Sequence, residues 1–193
     1  PPYPMLRSLV GSEMCIRDRG YISFMAKQSG LNDFKWFDKT PQNIYGLSMI
    51  MADFPRAKFL SMVRNPLNVV ASLKLGKIIK VKNIHAACNY WLDAAKILNV
   101  HRIQLGPRLL EVRYEDLISN PQETMREILE FSSTGNEPLL YGPDDVKKEK
   151  NQFRHVLNES EQRVVVQVCG KIASYYGYDL EQFLDDSLEY QIK

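Results

Sequence analysis

The chain has 193 residues, 45% of them hydrophobic, with 25 lysines and arginines against 23 acids. This suits one ordinary domain with a sizeable core, and a net charge of +2 gives no general case for nucleic acid or an anionic membrane as a partner. No apolar run approaches the roughly 18 residues that a membrane helix needs. Cys15, Cys88 and Cys169 are odd in number, widely spaced and not clustered with the three histidines, so they read as reduced thiols with no structural metal expected.

The opening "PPYPMLRSLVGSEMCIRDR", residues 1–19, has neither helical nor strand periodicity and lacks the apolar core of a signal peptide. It is similar to a translated sequencing-adapter read-through, with a natural disordered tail as the alternative. The expected domain therefore occupies residues 20–193.

After Gly30 one grammar repeats. "DFKWFDK" (33–39) reads as a strand, followed by Thr40 as a helix cap and Pro41 in the first turn. "KFLSMV" (58–63) reads as a second, buried strand, followed by Asn65 as cap and Pro66 in the first turn. "KNIHAACNYWLDAAKILNVHRIQL" is a long helix whose Ile84, Ala87, Cys88, Trp91, Ala94, Ala95 and Leu98 form one face, expected to pack on the sheet. "RLLEVRYE" (108–115) reads as a third strand, then a short turn and Asn120-Pro121-Gln122-Glu123 as a capped helix start. The segment 132–151 reads as an irregular surface connection. A last helix is capped by Asn158 and Glu161, carries Val164, Val165, Val168, Ile172, Tyr175 and Tyr176 as its apolar stripe, and stops at Gly177. Strands joined by helices run parallel, so the expected fold is α/β: an open parallel sheet covered by helices, with ligands at the C-terminal strand ends.

Two of those strand ends carry cations. Arg64 stands between the second strand and its helix, where a helix N-terminus attracts anions and a guanidinium can grip a phosphate through two hydrogen bonds. Ser72, eight positions on, can add a hydroxyl. Lys39 holds the matching place after the first strand, suited to neutralising charge on a leaving-group oxygen. Tyr114 ends the third strand and can offer its hydroxyl to a ligand. Each has a plainer reading as well: a surface ion pair for Arg64, a solvated Ser72, a Lys39 paired with Asp38, a Tyr114 with an internal partner.

"DKTPQNIYGLSMIMADFPRAKFLSMVRNPLNVVASL", then "LLEVRYEDLISNP" and "YYGYD", resembles the sulfotransferases that use 3′-phosphoadenosine-5′-phosphosulfate (PAPS), in the branch with tyrosylprotein sulfotransferases and related bacterial enzymes. The resemblance runs from about Phe34 to Tyr178. It implies that Arg64 and Ser72 bind the donor's 3′-phosphate, that Lys39 lies against the bridging oxygen of the donor, and that Tyr114 lies near the donor nucleotide. It further implies that Lys147, Lys148, Lys150 or Arg154 belongs to a loop brought over the donor, with Arg154 carried as a cofactor-binding candidate. Solvated positions are the plainer reading of these four, and surface roles that of His85, His101 and His155.

By resemblance, the fold is the P-loop nucleoside-triphosphate-hydrolase-like sulfotransferase fold without its first strand and phosphate loop. The family's Arg/Lys-x-Gly-Thr/Ser-Thr type sequence is not found, and the expectation is a partial, inactive domain. The implied reaction moves a sulfuryl group from PAPS, a co-substrate, to a hydroxyl or amine on a carbohydrate, protein tyrosine, lipid or small molecule, with no metal. A nucleotide-dependent phosphotransferase of related fold and a non-catalytic interaction domain are the rivals. Location stays open between the Golgi lumen of eukaryotic relatives, which carry an N-terminal anchor, and the cytoplasm of bacterial ones.

Overall fold

The computed structural model describes residue 28 and residues 37–76, 80–133 and 151–189. These fall into two units, Pro1–Ala57 and Lys58–Lys193.

In the first unit, Phe37–Thr40 has no regular structure, and the rest of the strand expected over 33–39 lies outside the described residues. Pro41–Gly46 forms a 3-10 helix that continues into α1 (Leu47–Asp53). Thr40 does not cap it. Asp38, two residues upstream, takes the Thr40 hydroxyl at 2.8 Å, and its other oxygen accepts from Asn43 Nδ2 at 2.6 Å. A short side-chain bond of this kind competes with the cap for the same hydroxyl.

The second unit runs β1 (Phe59–Val63), α2 (Pro66–Leu75), α3 (Ile84–Leu105), β2 (Leu109–Arg113), α4 (Tyr114–Ser119), α5 (Pro121–Ser132), α6 (Phe153–Val156), α7 (Glu159–Tyr175) and α8 (Leu180–Glu189). The strands pair parallel, from Phe59 opposite Leu109 to Val63 opposite Arg113, with α2 and α3 in the connection between them. Among the described residues the sheet has these two strands. The architecture is mostly helical with a small parallel sheet, as an α/β reading requires. β1 is not fully buried, however: Leu60 and Met62 are 47% and 43% exposed, so one face of that strand is open.

The core lies among helices. Leu67, Val70 and Leu73 of α2, Cys88, Trp91 and Leu92 of α3, and Val165, Cys169 and Ala173 of α7 are buried in one cluster with Phe153 and Tyr178. The face of α3 is the expected one, extended by Leu92 and Leu105; it packs chiefly on α2 and α7, with Val63 of β1 against the same cluster. Periodicity identifies which side of a helix is buried without saying what covers it. Cys88 and Cys169 are free and buried, the Cys169 thiol 4.0 Å from the Cys88 carbonyl.

Three further expectations change. Tyr114 and Glu115 open α4 and do not extend the strand, so the supposed short turn is a helix. Asn120 precedes α5 without a side-chain capping bond. The capping box at Asn158 and Glu161 is present, but Tyr175 is exposed and α8 follows the helix thought to be last. The segment 134–150 lies outside the described residues.

Candidate functional site

Because β1 and β2 run parallel and in register, their C-terminal ends emerge side by side. Val63 is opposite Arg113, so the next steps place Arg64 beside Tyr114 and Asn65 beside Glu115. Both pairs meet. The Arg64 guanidinium lies 4.7 Å from the centre of the Tyr114 ring, and the Asn65 N–H donates to Glu115 Oε1 at 3.1 Å. A guanidinium over an aromatic face is held by the ring quadrupole.

The backbone here is fixed at successive residues. The Tyr178 hydroxyl lies 2.5 Å from Glu115 Oε2 and 3.2 Å from the Val63 carbonyl oxygen. Trp91 Nε1 donates to the Arg64 carbonyl at 3.1 Å. Burial, then the neighbouring Glu115 carboxylate, pushes the Tyr178 hydroxyl well above the ordinary tyrosine range, so it stays protonated and donates.

Asn65 is buried, and its Oδ1 accepts from Leu67 N–H at 2.9 Å, capping α2. Pro66 has no N–H to offer, and the Asn68 and Val69 N–H groups donate to the Asn65 carbonyl at 3.1 Å. The tip of α2 therefore has its amide donors in use and a carboxylate beside it. The expectation of open N–H groups at this helix N-terminus is therefore not met: the Asn65, Leu67, Asn68 and Val69 amides each have a partner.

Ser72 is exposed on α2, seven residues beyond its cap, which is about 10 Å along a helix axis. An anion shared with Arg64 would lie along the flank of α2's first two turns. Lys39 is exposed in the first unit, and Asp38 bonds to Thr40 and Asn43 instead of to it. Arg154 stands in α6, where its guanidinium lies 5.1 Å from the Phe153 ring and Nη2 donates weakly to the Phe183 carbonyl at 3.5 Å, while Nη1 is buried with no protein partner. Lys147, Lys148 and Lys150 lie outside the described residues. His85 and His155 are exposed, and His101 Nδ1 is 2.9 Å from the Ile97 carbonyl one turn back.

The residues that sequence reasoning missed are Glu115, Trp91 and Tyr178 as supports of the Arg64 turn. Counting onward from the strand ends would have found Glu115, since it follows its strand at the same step as Asn65. Tyr178 lies in the "YYGYD" segment that carries the resemblance, but nothing local gives its partner, since it reaches Glu115 across 63 positions of sequence.

A model of the sulfotransferase family matches residues 12–134, well over half of the chain and inclusive of Arg64, Ser72, Tyr114 and Glu115. The omega-hydroxy-beta-dihydromenaquinone-9 sulfotransferase Stf3 of Mycobacterium bovis is 27% identical over 161 residues, covering 73% of this chain and 40% of that protein. Its namesake in Mycobacterium tuberculosis gives the same figures. The protein-tyrosine sulfotransferase of Drosophila melanogaster is 28% identical over 117 residues, covering 58% of this chain and 23% of that protein. The chain thus spans less than half the length of these relatives. No solved structure gives a significant match. On the family match, with the paired strand ends it includes, the chain belongs to the sulfotransferase family.

Proposed function

We propose that this chain supplies a donor-binding part of a sulfotransferase that moves a sulfuryl group from PAPS to a hydroxyl-bearing acceptor. The observation that carries the proposal is the Arg64 guanidinium stacked on Tyr114 at the adjoining C-terminal ends of two parallel strands. Parallel sheets bind nucleotides at that edge, and the P-loop-like sulfotransferase fold is the finer architecture this edge suits.

The donor groups present suit a phosphate monoester. A guanidinium offers two parallel N–H bonds, and Ser72 offers a hydroxyl from an exposed position on the same helix. With the helix-tip amides already used, Arg64 carries most of the charge recognition. It would select the donor's 3′-phosphate, and Tyr114, whose ring lies under the guanidinium, would steer it and border the nucleotide. Arg154, half-buried in α6, would supply a further donor contact. Lys39, an exposed ammonium, would meet the negative charge that grows on the bridging oxygen as its bond to sulfur breaks. The named relatives act on a hydroxylated menaquinone and on protein tyrosine, and a hydroxyl acceptor is the corresponding proposal here.

The test is calorimetric binding of adenosine 3′,5′-bisphosphate, the desulfated donor, to the wild-type chain and to Arg64→Ala. Loss of a charge-assisted pair is expected to weaken binding by about 2–3 kcal/mol, or roughly 100-fold. Equal affinity in the two proteins would end this reading.

A further inference from the structure

We infer that Glu115 and Tyr178 are positioning residues that aim Arg64, and that discrimination for the 3′-phosphate depends on this clasp. The inference rests on the donor reading above and assigns the selectivity of that same site to two residues outside it.

The argument begins with the three residues that carry Arg64 across the turn. Val63 offers its carbonyl to Tyr178, Arg64 offers its carbonyl to Trp91, and Asn65 donates its N–H to Glu115. The supports come from three places in the chain: the α7–α8 junction, α3 and α4. Rotation of the peptide between Arg64 and Asn65 would break the bond to Glu115 or the bond to Trp91. The backbone therefore fixes where the Arg64 side chain departs, and its guanidinium lies over the Tyr114 ring.

Glu115 is the hub. One carboxylate oxygen holds the Asn65 N–H and the other holds the Tyr178 hydroxyl, so both are occupied. The same helical turn also supplies Tyr114. Side chain and backbone of the arginine step are thus set by adjacent residues of α4, which leaves little freedom between them.

Tyr178 is a fixed post. It is 1% exposed, and the Arg113 guanidinium lies 4.6 Å from its ring centre. The chain reaches it through Gly177 at φ 75°, a left-handed conformation that side chains disfavour, and a Cβ there would stand 3.2 Å from Arg113 Nη1. Gly177 thus permits both the reversal that turns Tyr178 inward and the close passage of Arg113. The partners its buried hydroxyl finds, Glu115 first and the Val63 carbonyl at longer range, are the two groups that flank the Arg64 step.

The test uses the full chain and compares adenosine 3′,5′-bisphosphate with adenosine 5′-monophosphate, in wild type, Tyr178→Phe, Glu115→Gln, Arg64→Ala and the Tyr178→Phe/Arg64→Ala double variant. Tyr178→Phe is expected to weaken bisphosphate binding by about tenfold, the worth of one hydrogen bond to a charged group, and to leave monophosphate binding unchanged. In the Arg64→Ala background the same change should add nothing, because its effect passes through Arg64. Glu115→Gln keeps an oxygen for the Asn65 N–H and should fall between the two, which preserves the test if Tyr178→Phe does not fold.

Equal weakening for both ligands, or an undiminished effect on bisphosphate binding without Arg64, would mean general structural support and overturn the inference. Wild-type discrimination retained in both Tyr178→Phe and Glu115→Gln would overturn it as well. If wild type and Arg64→Ala bind the bisphosphate alike, the donor reading itself falls and takes the positioning role with it. That pattern differs from discrimination that needs Arg64 but not Tyr178.

Discussion

Lys39 and Arg64 stand in the same local sequence, a cation followed by a short polar residue and proline, yet the molecule treats the two places differently. Beside Lys39, Asp38 accepts from Thr40 and Asn43, two and five positions away, and the helix that follows starts as a 3-10 turn with no side-chain cap. Around Arg64 the bonds span 27, 50 and 115 positions and the helix is capped by a buried asparagine. Local sequence thus announces where a helix begins. Distant residues decide whether that start becomes a rigid platform.

The comparison breaks most visibly at the helices behind each step. Leu67, fully buried in the first turn after Arg64, should lose about 2–5 kcal/mol of stability on replacement by alanine, measured by urea denaturation. Phe37, 75% exposed beside Lys39, should lose no more than about 0.5 kcal/mol. Similar losses at both would mean that the two steps are equally anchored.

The caps sharpen the contrast at smaller scale. Asn65→Ala removes a cap and strands a buried Leu67 N–H, so about 2 kcal/mol is expected. Asn158→Ala removes the more exposed member of a capping box, for about 1 kcal/mol. Thr40→Ala and Asn120→Ala, whose side chains cap nothing, should stay within about 0.5 kcal/mol. A large effect at Thr40 would restore the symmetry that the sequence suggests.

The same contrast explains what could be read in advance. The step from β1 through Asn65-Pro66 into α2, the capping box of α7 and the buried face of α3 are all local patterns, and each is present. Tyr114-Glu115 was misread because tyrosine and glutamate after "LLEVR" continue a strand as easily as they open a helix. That α2 and α7 are the main partners of α3 was not legible, because a helical stripe does not name what it meets. At the site, the place of Arg64 between a strand and a capped helix was legible in the sequence, while its pairing with Ser72 came from the family resemblance. The stacking of Arg64 on Tyr114 depends on the register of two strands whose paired residues are 50 positions apart, and the clasp through Tyr178 depends on the packing of the whole second unit.

The smallest effect concerns the far end of α2. Lys74 in its last turn donates to Glu161 at 2.6 Å, and Glu161 also accepts from the Asn158 N–H at 3.0 Å. Lys74 first, and Asn158 after it, hold the Glu161 carboxyl below its ordinary value of 4.5, with partial burial opposing them. The folded state therefore binds this proton less tightly than the unfolded chain does. The stabilisation is present in full above pH 4.5 and declines as pH falls from there through the lowered folded value. For a partly solvated pair, about 1 kcal/mol or less is at stake. Denaturation midpoints of wild type and Glu161→Gln should differ above that window and converge below it, while a constant difference would assign the effect to packing. Bisphosphate affinity at neutral pH should be the same in Glu161→Gln as in wild type, because the first turn of α2 has its own supports at Glu115, Trp91 and Tyr178. A loss as large as that expected for Tyr178→Phe would mean that the Arg64 step is braced along the whole helix, and the contrast with Lys39 would then lie in helix anchoring instead of in the clasp.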